Sequence, residues 1–335
     1  MNQPKISIII PVYNVEPYIT DCLQSVMRQT YKGSIECIVV DDCCTDKSIE
    51  VAEKLIAEYE GPIVFMVLHH EKNLGISCAR NTGIDAATGD YVFFIDSDDY
   101  ITDDCIECLV DSSGDFDIVF GNHFSEERQA GRIKTDSGAL TGEHYVLKYL
   151  QGELFPACVW NKLFKMDYLK KHNLYFVPNI IMEDSVFTFM YSCFPTKMFF
   201  HNKATYYYRV KREKSIVDVL RHDKTILKDA LFCVWMAVQE HCLSSYYNEI
   251  NELFLYDFGF RLFRVCRRTR DGFYHEFRAL HRKYPYKPFR IWLSGKQSFH
   301  WYKTRMCWSL PTLLGYFWLQ AKFMKNELCE MRKGQ

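Results

Sequence analysis

Residues 91–95, Tyr-Val-Phe-Phe-Ile, are apolar without a break and run from Gly89-Asp90 directly into Asp96, Asp98 and Asp99. A run this short, bounded by turn residues, predicts a strand buried on both faces of a parallel sheet. The acids then emerge at the carboxyl edge of that sheet, where open α/β sheets bind ligands. Asp96 and Asp98 lie two residues apart, so in extended geometry their carboxylates point the same way and can share one divalent cation. A hard cation with open coordination positions suits a diphosphate. The plainer use of the same acids is a solvated loop that caps the next helix together with Asp103 and Asp104.

The preceding residues predict the rest of such a sheet. Residues 6–10 read as a short buried strand ended by Pro11, and a helix is expected from Val15 to about Gln29. The connecting loop Pro11-Val-Tyr-Asn14 carries neither the G-x-G-x-x-G of a dinucleotide site nor the G-x-x-x-x-G-K-[ST] of a P-loop, which counts against both. A second strand, 35–40, ends in Asp41-Asp42, and Thr45 is the expected cap of a helix reaching Tyr59. A third strand, 62–68, ends in His69-His70, which read as surface residues because no acid or cysteine partner stands near them in sequence. Gly75 breaks the loop Lys72-Asn73-Leu74-Gly75, and a helix over 77–87 brings Arg80 near its first turns. Helix N-termini and guanidinium groups both suit phosphate oxygens, although on this stretch alone Arg80 reads as a surface arginine. Four strands alternating with three helices predict a doubly wound α/β sheet.

At 335 residues there is room for one large α/β domain with an appended element, and a 48% apolar, 16% aromatic composition supports a substantial core. The net charge of -1 hides an asymmetry. Residues 261–335 hold 17 Lys+Arg against 4 Asp+Glu, a balance of +13, which leaves the remainder at -14. Such a basic tail points to an anionic partner, a membrane surface or nucleic acid, and the second lacks any recognised module to accompany it. The 14 cysteines show no secretory framework, and the first ten residues lack signal-peptide character, so reduced thiols in a cytoplasmic protein are expected. The Cys105-x-x-Cys108 pair falls in an expected helix and reads as packing. Residues 306–321 are uncharged but shorter than the roughly 20 residues of a spanning helix and are interrupted by Pro311 and Gly315. Their basic and aromatic flanks suit either peripheral contact of 285–325 with an anionic membrane, or a helical subdomain packing on the body or on a second copy in a homodimer.

Four blocks in order carry a family resemblance: Ile10-Pro-Val-Tyr-Asn14; Val39-Val-Asp-Asp-Cys-Cys-Thr-Asp46; Asn73-Leu-Gly75 with Ala79-Arg-Asn-Thr-Gly83; and Asp96-Ser-Asp-Asp99. Together they resemble inverting glycosyltransferases of family 2, which have the nucleotide-diphospho-sugar transferase (GT-A) fold. They cover roughly residues 5 to 110. The chain departs from the family pattern at Cys43-Cys44, where Gly-Ser is usual after the paired acids. A looser likeness continues through Cys158-Val-Trp-Asn-Lys-Leu-Phe164, the pair Glu183-Asp184, and Tyr206-Tyr-Tyr-Arg209 to Ile216. It implies a catalytic domain over 1–216 and leaves 217–335 as a helical, basic and aromatic region for membrane association or oligomerisation.

The resemblance implies a metal-dependent enzyme that moves a sugar from a nucleotide-diphosphate sugar, most simply a UDP-sugar, to a glycan or lipid-linked glycan of a bacterial cell surface; the expected location is the cytoplasm, with the inner face of the cytoplasmic membrane following only if the basic tail binds lipid. Asp98 and Asp96 would hold Mn2+ or Mg2+, with Asp96 also near the ribose. Asp41 and Asp42 would accept from uracil or ribose, and Pro11 and Tyr13 would wall the base. Lys72 and Arg80 would contact phosphate or sugar, and Arg209, Lys211 and Arg212 would close over the diphosphate. Asn73, Gly75, Ser97 and Trp160 complete the implied donor site. Asp184 would be the general base, with Glu183 as the second choice; the plain use of that pair is to cap the helix through Tyr191. Two alternatives remain at this stage. A nucleotidyltransferase would carry a Gly-rich, Arg-containing loop after the first strand, and a membrane-docked nucleotide-sugar-binding protein would lack turnover.

Overall fold

Alternate residues of the first strand feed two different cores, and this organises the molecule. In β1 (Ile6–Val12), Ile6, Ile8 and Ile10 pack with Ile19, Leu23 and Val26 of α1 (Ile19–Met27) and Ala52 of α2 (Ser48–Ala57). Ile9 faces the other way, joining Ala79 and Ile84 of α3 (Ile76–Ala86). The strand β4 (Tyr91–Phe94) divides in the same manner: Tyr91 and Phe93 belong to the first core, Val92 and Phe94 to the second. A strand read as apolar on both faces is therefore covered on both faces.

The computed structural model describes residues 3–125, 136–142, 145, 157–192 and 194–210, with isolated positions 222, 223, 226, 227, 230, 231, 233, 234, 237 and 278. Lys211, Arg212, residues 285–325 and nearly all of 217–335 lie outside the described residues. The remaining elements are β2 (Ile35–Asp41), β3 (Val64–His69), β5 (Tyr100–Ile101), α4 (Cys105–Asp111), β6 (Ile118–Ser125), β7 (Gly138–Thr141), β8 (Lys162–Lys165), α5 (Met166–Lys171), α6 (Glu183–Ser192) and β9 (Lys197–Tyr208). One mixed sheet runs β3-β2-β1-β4-β8-β6-β9-β5, with β7 on β9. Its first four strands are parallel, joined by the crossovers α1, α2 and α3. Beyond β4 the pairing turns antiparallel at β8, while β6 and β9 run parallel with register shifts between Gly121 and His123.

Two local differences from the sequence reading have clear causes. Pro11 does not end β1, which continues to Val12. Ile9 O accepts from Ile95 N on the β4 side, so Pro11, two residues on, turns its missing N–H to that side, where the β4 pairing has already ended. Before α2 the side-chain acceptor is Asp46, whose Oδ1 takes Ser48 N at 3.0 Å, while the Thr45 hydroxyl bonds Asn14.

Candidate active site

Parallel pairing brings the ends of β1, β2, β3 and β4 to one edge. The end of β2 is cross-braced. Asp41 accepts from Cys44 N at 2.8 Å and meets His69 Nδ1 at 3.1 Å. Burial alone would raise its carboxyl; those two partners outweigh it and hold the group below its ordinary value. Asp42 is 3% exposed. Its Oδ1 meets His70 Nδ1 at 2.7 Å and Leu74 N at 2.8 Å, and its Oδ2 accepts from Gly75 N at 2.8 Å. Of roughly four lone-pair positions on a carboxylate, three are thus occupied within the protein. Asp42 fixes the loop that opens α3, and Gly75 adopts φ +86 at that opening. His70 also bonds Thr82 Oγ1 at 2.9 Å, so it is an internal link, in contrast to the surface residue the sequence suggested. The acid partner it lacked in sequence arrives from the neighbouring strand.

Cys43 takes φ +62, the left-handed region that a glycine adopts without strain. The loop after Asp41-Asp42 thus makes its left-handed turn on a cysteine instead of a glycine. Cys44 N still caps Asp41, and Cys44 Sγ donates to Val12 O at 3.4 Å. Tyr13 is exposed beside this loop, as are Lys72 and Asn73.

At the end of β4, one oxygen from each of Asp96, Asp98 and Asp99 lies within 4.8 Å of the others. Three carboxylates without nitrogen or sulfur donors match a hard divalent cation such as Mg2+ or Mn2+. Asp99, fully buried, accepts from Tyr206 Oη at 2.7 Å and Arg209 N at 2.8 Å, while Tyr206 Oη accepts from Asp96 N at 3.2 Å. Burial first, then the charges of Asp98 and Asp96, push the Asp99 carboxyl well up. Trp160 stacks on Tyr206 with ring centroids 4.4 Å apart and bridges to Phe94, which stiffens the floor beneath the acids. Ser97 is buried within the turn.

Arg80, expected at the surface or against phosphate, is 2% exposed. It donates Nη2 to Asp96 Oδ1 at 2.8 Å and Nη1 to Glu183 Oε1 at 2.5 Å. This one guanidinium joins the acids after β4 to the acid pair that opens α6. Asp184 is half-buried and accepts from Ser185 N at 2.7 Å. Burial, and next the neighbouring Glu183 charge, raise its carboxyl to about 7. Arg209 places its guanidinium over the rings of Tyr18 and Tyr100 and donates to Asp21 Oδ2 at 2.5 Å.

Residues 7–172 match the model of glycosyl transferase family 2. EpsH of Bacillus subtilis is 33% identical over 240 residues, which cover 69% of this chain and 67% of that protein. The chain belongs to glycosyltransferase family 2. This family 2 glycosyltransferase is also 30% identical over 218 residues to the poly(ribitol-phosphate) beta-N-acetylglucosaminyltransferase TarS of Staphylococcus aureus, covering 62% of this chain and 36% of TarS. The structure of S. aureus TarS 1–349 in complex with UDP superposes with a TM-score of 0.59 at 25% identity, over 81% of this chain and 74% of that one. The fold of this family 2 glycosyltransferase is accordingly GT-A, and its acids lie at the edge that the sequence indicated. The sequence reading named His70, Asp99 and Tyr206 but gave none of them a role in the site. Asp99 stood in plain view in Asp96-Ser-Asp-Asp99, whereas the partners of His70 and Tyr206 lie 28 and 107 residues away.

Proposed function

We propose that this glycosyltransferase moves a sugar from a UDP-sugar, with inversion, to a hydroxyl of a glycan or lipid-linked glycan in bacterial surface polysaccharide synthesis. The observation that carries this reading is the meeting of two acid groups around Arg80: a three-carboxylate cluster at the sheet edge and a raised carboxyl, Asp184, next to the partner of the same guanidinium. Asp184 takes the proton of the acceptor hydroxyl as that oxygen attacks the anomeric carbon. The bond from that carbon to the diphosphate oxygen breaks with its electron pair, and UDP departs. Asp98 and Asp96 would hold Mn2+ or Mg2+, which supplies charge neutralisation to the diphosphate. Pro11 and Tyr13 border the base, and the remaining lone pair of Asp42 suits the uracil N–H. Asp41, Lys72, Asn73, Gly75, Ser97 and Trp160 frame the donor, and Arg209, freed from Asp21, reaches the diphosphate together with Lys211 and Arg212.

The test is thermal unfolding with a panel of nucleotides and nucleotide sugars, with and without Mn2+. UDP-GlcNAc comes first because TarS, a relative, is named for N-acetylglucosamine transfer. A ligand at 100 times its dissociation constant adds about 2.7 kcal/mol of stability. A metal-dependent shift with UDP, larger for one UDP-sugar, is expected. No shift with any nucleotide would overturn the donor site. Asp184→Asn should keep the UDP shift and lower turnover by roughly 10²–10⁴-fold.

A further inference from the structure

We propose that Arg80 is a positioning residue that fixes the base-bearing end of α6 against the donor acids, through Glu183 on one side and Asp96 on the other. This rests on the reading of Asp184 as the base. The geometry leaves the guanidinium little other use. It is 2% exposed, and both terminal nitrogens already meet carboxylates drawn from opposite sides of the site. Its carbon lies 5.1 Å from the centroid of the Phe176 ring, which gives the planar group a face to rest on.

The next residue continues the same attachment. Asn81 Nδ2 donates to Phe176 O and Asn81 Oδ1 accepts from Phe176 N, both at 2.8 Å. The dipeptide Arg80-Asn81 on α3 thus grips the segment leading into α6 at both its start and its end. Between those grips the backbone is strained. Met182, with a side chain and φ +71, sits immediately before Glu183. A left-handed non-glycine persists where its surroundings dictate it, and such residues cluster at functional sites. The surroundings here are the Glu183–Arg80 pair and the Asn81 clamp. Asp184 accepts its hydrogen bond from Ser185 N, while Arg80 hydrogen-bonds Glu183 beside it, so Arg80 positions the base through its neighbour.

The experiment uses the full chain with Arg80→Lys, Arg80→Gln, Glu183→Gln and the double variant Arg80→Gln/Glu183→Gln. For each, kcat and KM for the donor, the dissociation constant of UDP with Mn2+ by calorimetry, and Tm are measured. Glu183→Gln should lower kcat by roughly tenfold or more, up to the roughly 10²–10⁴-fold worth of a general base, while UDP affinity stays within about twofold, because Glu183 hydrogen-bonds Arg80 and not the donor acids themselves. Arg80→Gln should lower kcat at least as far and also change UDP·Mn2+ affinity through Asp96. Arg80→Lys, which keeps the charge but not the fork, should fall between. The double variant should be no slower than Arg80→Gln alone, since both changes break one linkage. A folded Arg80→Gln with kcat within twofold of wild type would overturn the positioning role, as would losses in kcat that multiply in the double variant. If Arg80→Gln does not fold, Glu183→Gln and Arg80→Lys decide by the same kcat and affinity criteria. A wild type that turns over no donor sinks the transferase reading and this role with it; an active wild type matched by Arg80→Gln sinks this role alone.

Discussion

At the scale of single residues, the site combines a carboxylate held down, Asp41, with others held up, Asp99 and Asp184 among them. Asp41 is kept ionised by Cys44 and His69, while Asp184 is raised from an ordinary 3.8 to about 7 by burial and then by Glu183. A base must be unprotonated to accept, so turnover should rise with pH through about 7 and level off above it, and kcat/KM against pH reports that limb. Linkage gives an independent check. A carboxyl with its folded value above its unfolded one favours the native state below about pH 4 and withdraws that contribution as pH rises through 7. Asp184→Asn should therefore raise Tm at pH 8 relative to wild type, and much less at pH 4. An unchanged difference between the two pH values would show that Asp184 is not held in this way. The acids themselves were readable from Asp96-Ser-Asp-Asp99 and Glu183-Asp184. Their partners were not, since Arg80 to Glu183 and Tyr206 to Asp99 are contacts across 103 and 107 residues.

At the scale of elements, the four parallel strands were legible because each carries an apolar run, buried in β1, β2 and β4 and half-exposed in β3 at the sheet edge, with helical periods between them. The second half was not. β6 and β9 pair through a register shift at Gly121–His123, and β8 is four residues long, so neither carries a clean period. The fit of α3 on β1 depends on one residue. A Cβ on Gly83 would stand 2.4 Å from Ile9 Cγ2. Gly83→Ala should cost about 1–3 kcal/mol by overpacking, read as a lower midpoint in urea, and should reduce activity by displacing Arg80 on the same helix. The other end of β1 is fastened by Glu36, which accepts from Ser7 Oγ at 2.6 Å, Thr88 N at 2.6 Å and Thr88 Oγ1 at 2.7 Å, and pairs with Lys5. Burial would raise this carboxyl, but those partners outweigh it and hold it at about 2. Its contribution is present above the ordinary 4.5 and disappears as pH falls toward 2. Glu36→Gln should flatten the decline of Tm across that window; an unaltered decline would assign acid sensitivity elsewhere.

At the scale of the whole molecule, charge is segregated: a body at -14 precedes a stretch from 261 onward at +13. Among the described residues no helix is long and apolar enough to cross a membrane. With the proposed lipid-linked acceptor the enzyme would work at a surface, and the inner leaflet of a bacterial membrane is anionic. Basic residues near such a surface contribute about 1 kcal/mol each, and the attraction decays within a Debye length of about 8 Å at physiological salt. The full chain should therefore sediment with vesicles containing anionic lipid, much less with neutral ones, and release as salt is raised. Exchanging Arg264, Arg267 and Arg268 for Gln removes about 3 kcal/mol of that attraction, roughly a hundredfold in partition. UDP binding should be unaltered, because these positions lie outside the catalytic blocks. Equal sedimentation with neutral and anionic vesicles, or none with either, would instead assign the basic stretch to contact with the acidic body or with a second copy, a choice that the sedimentation coefficient of the protein alone then resolves.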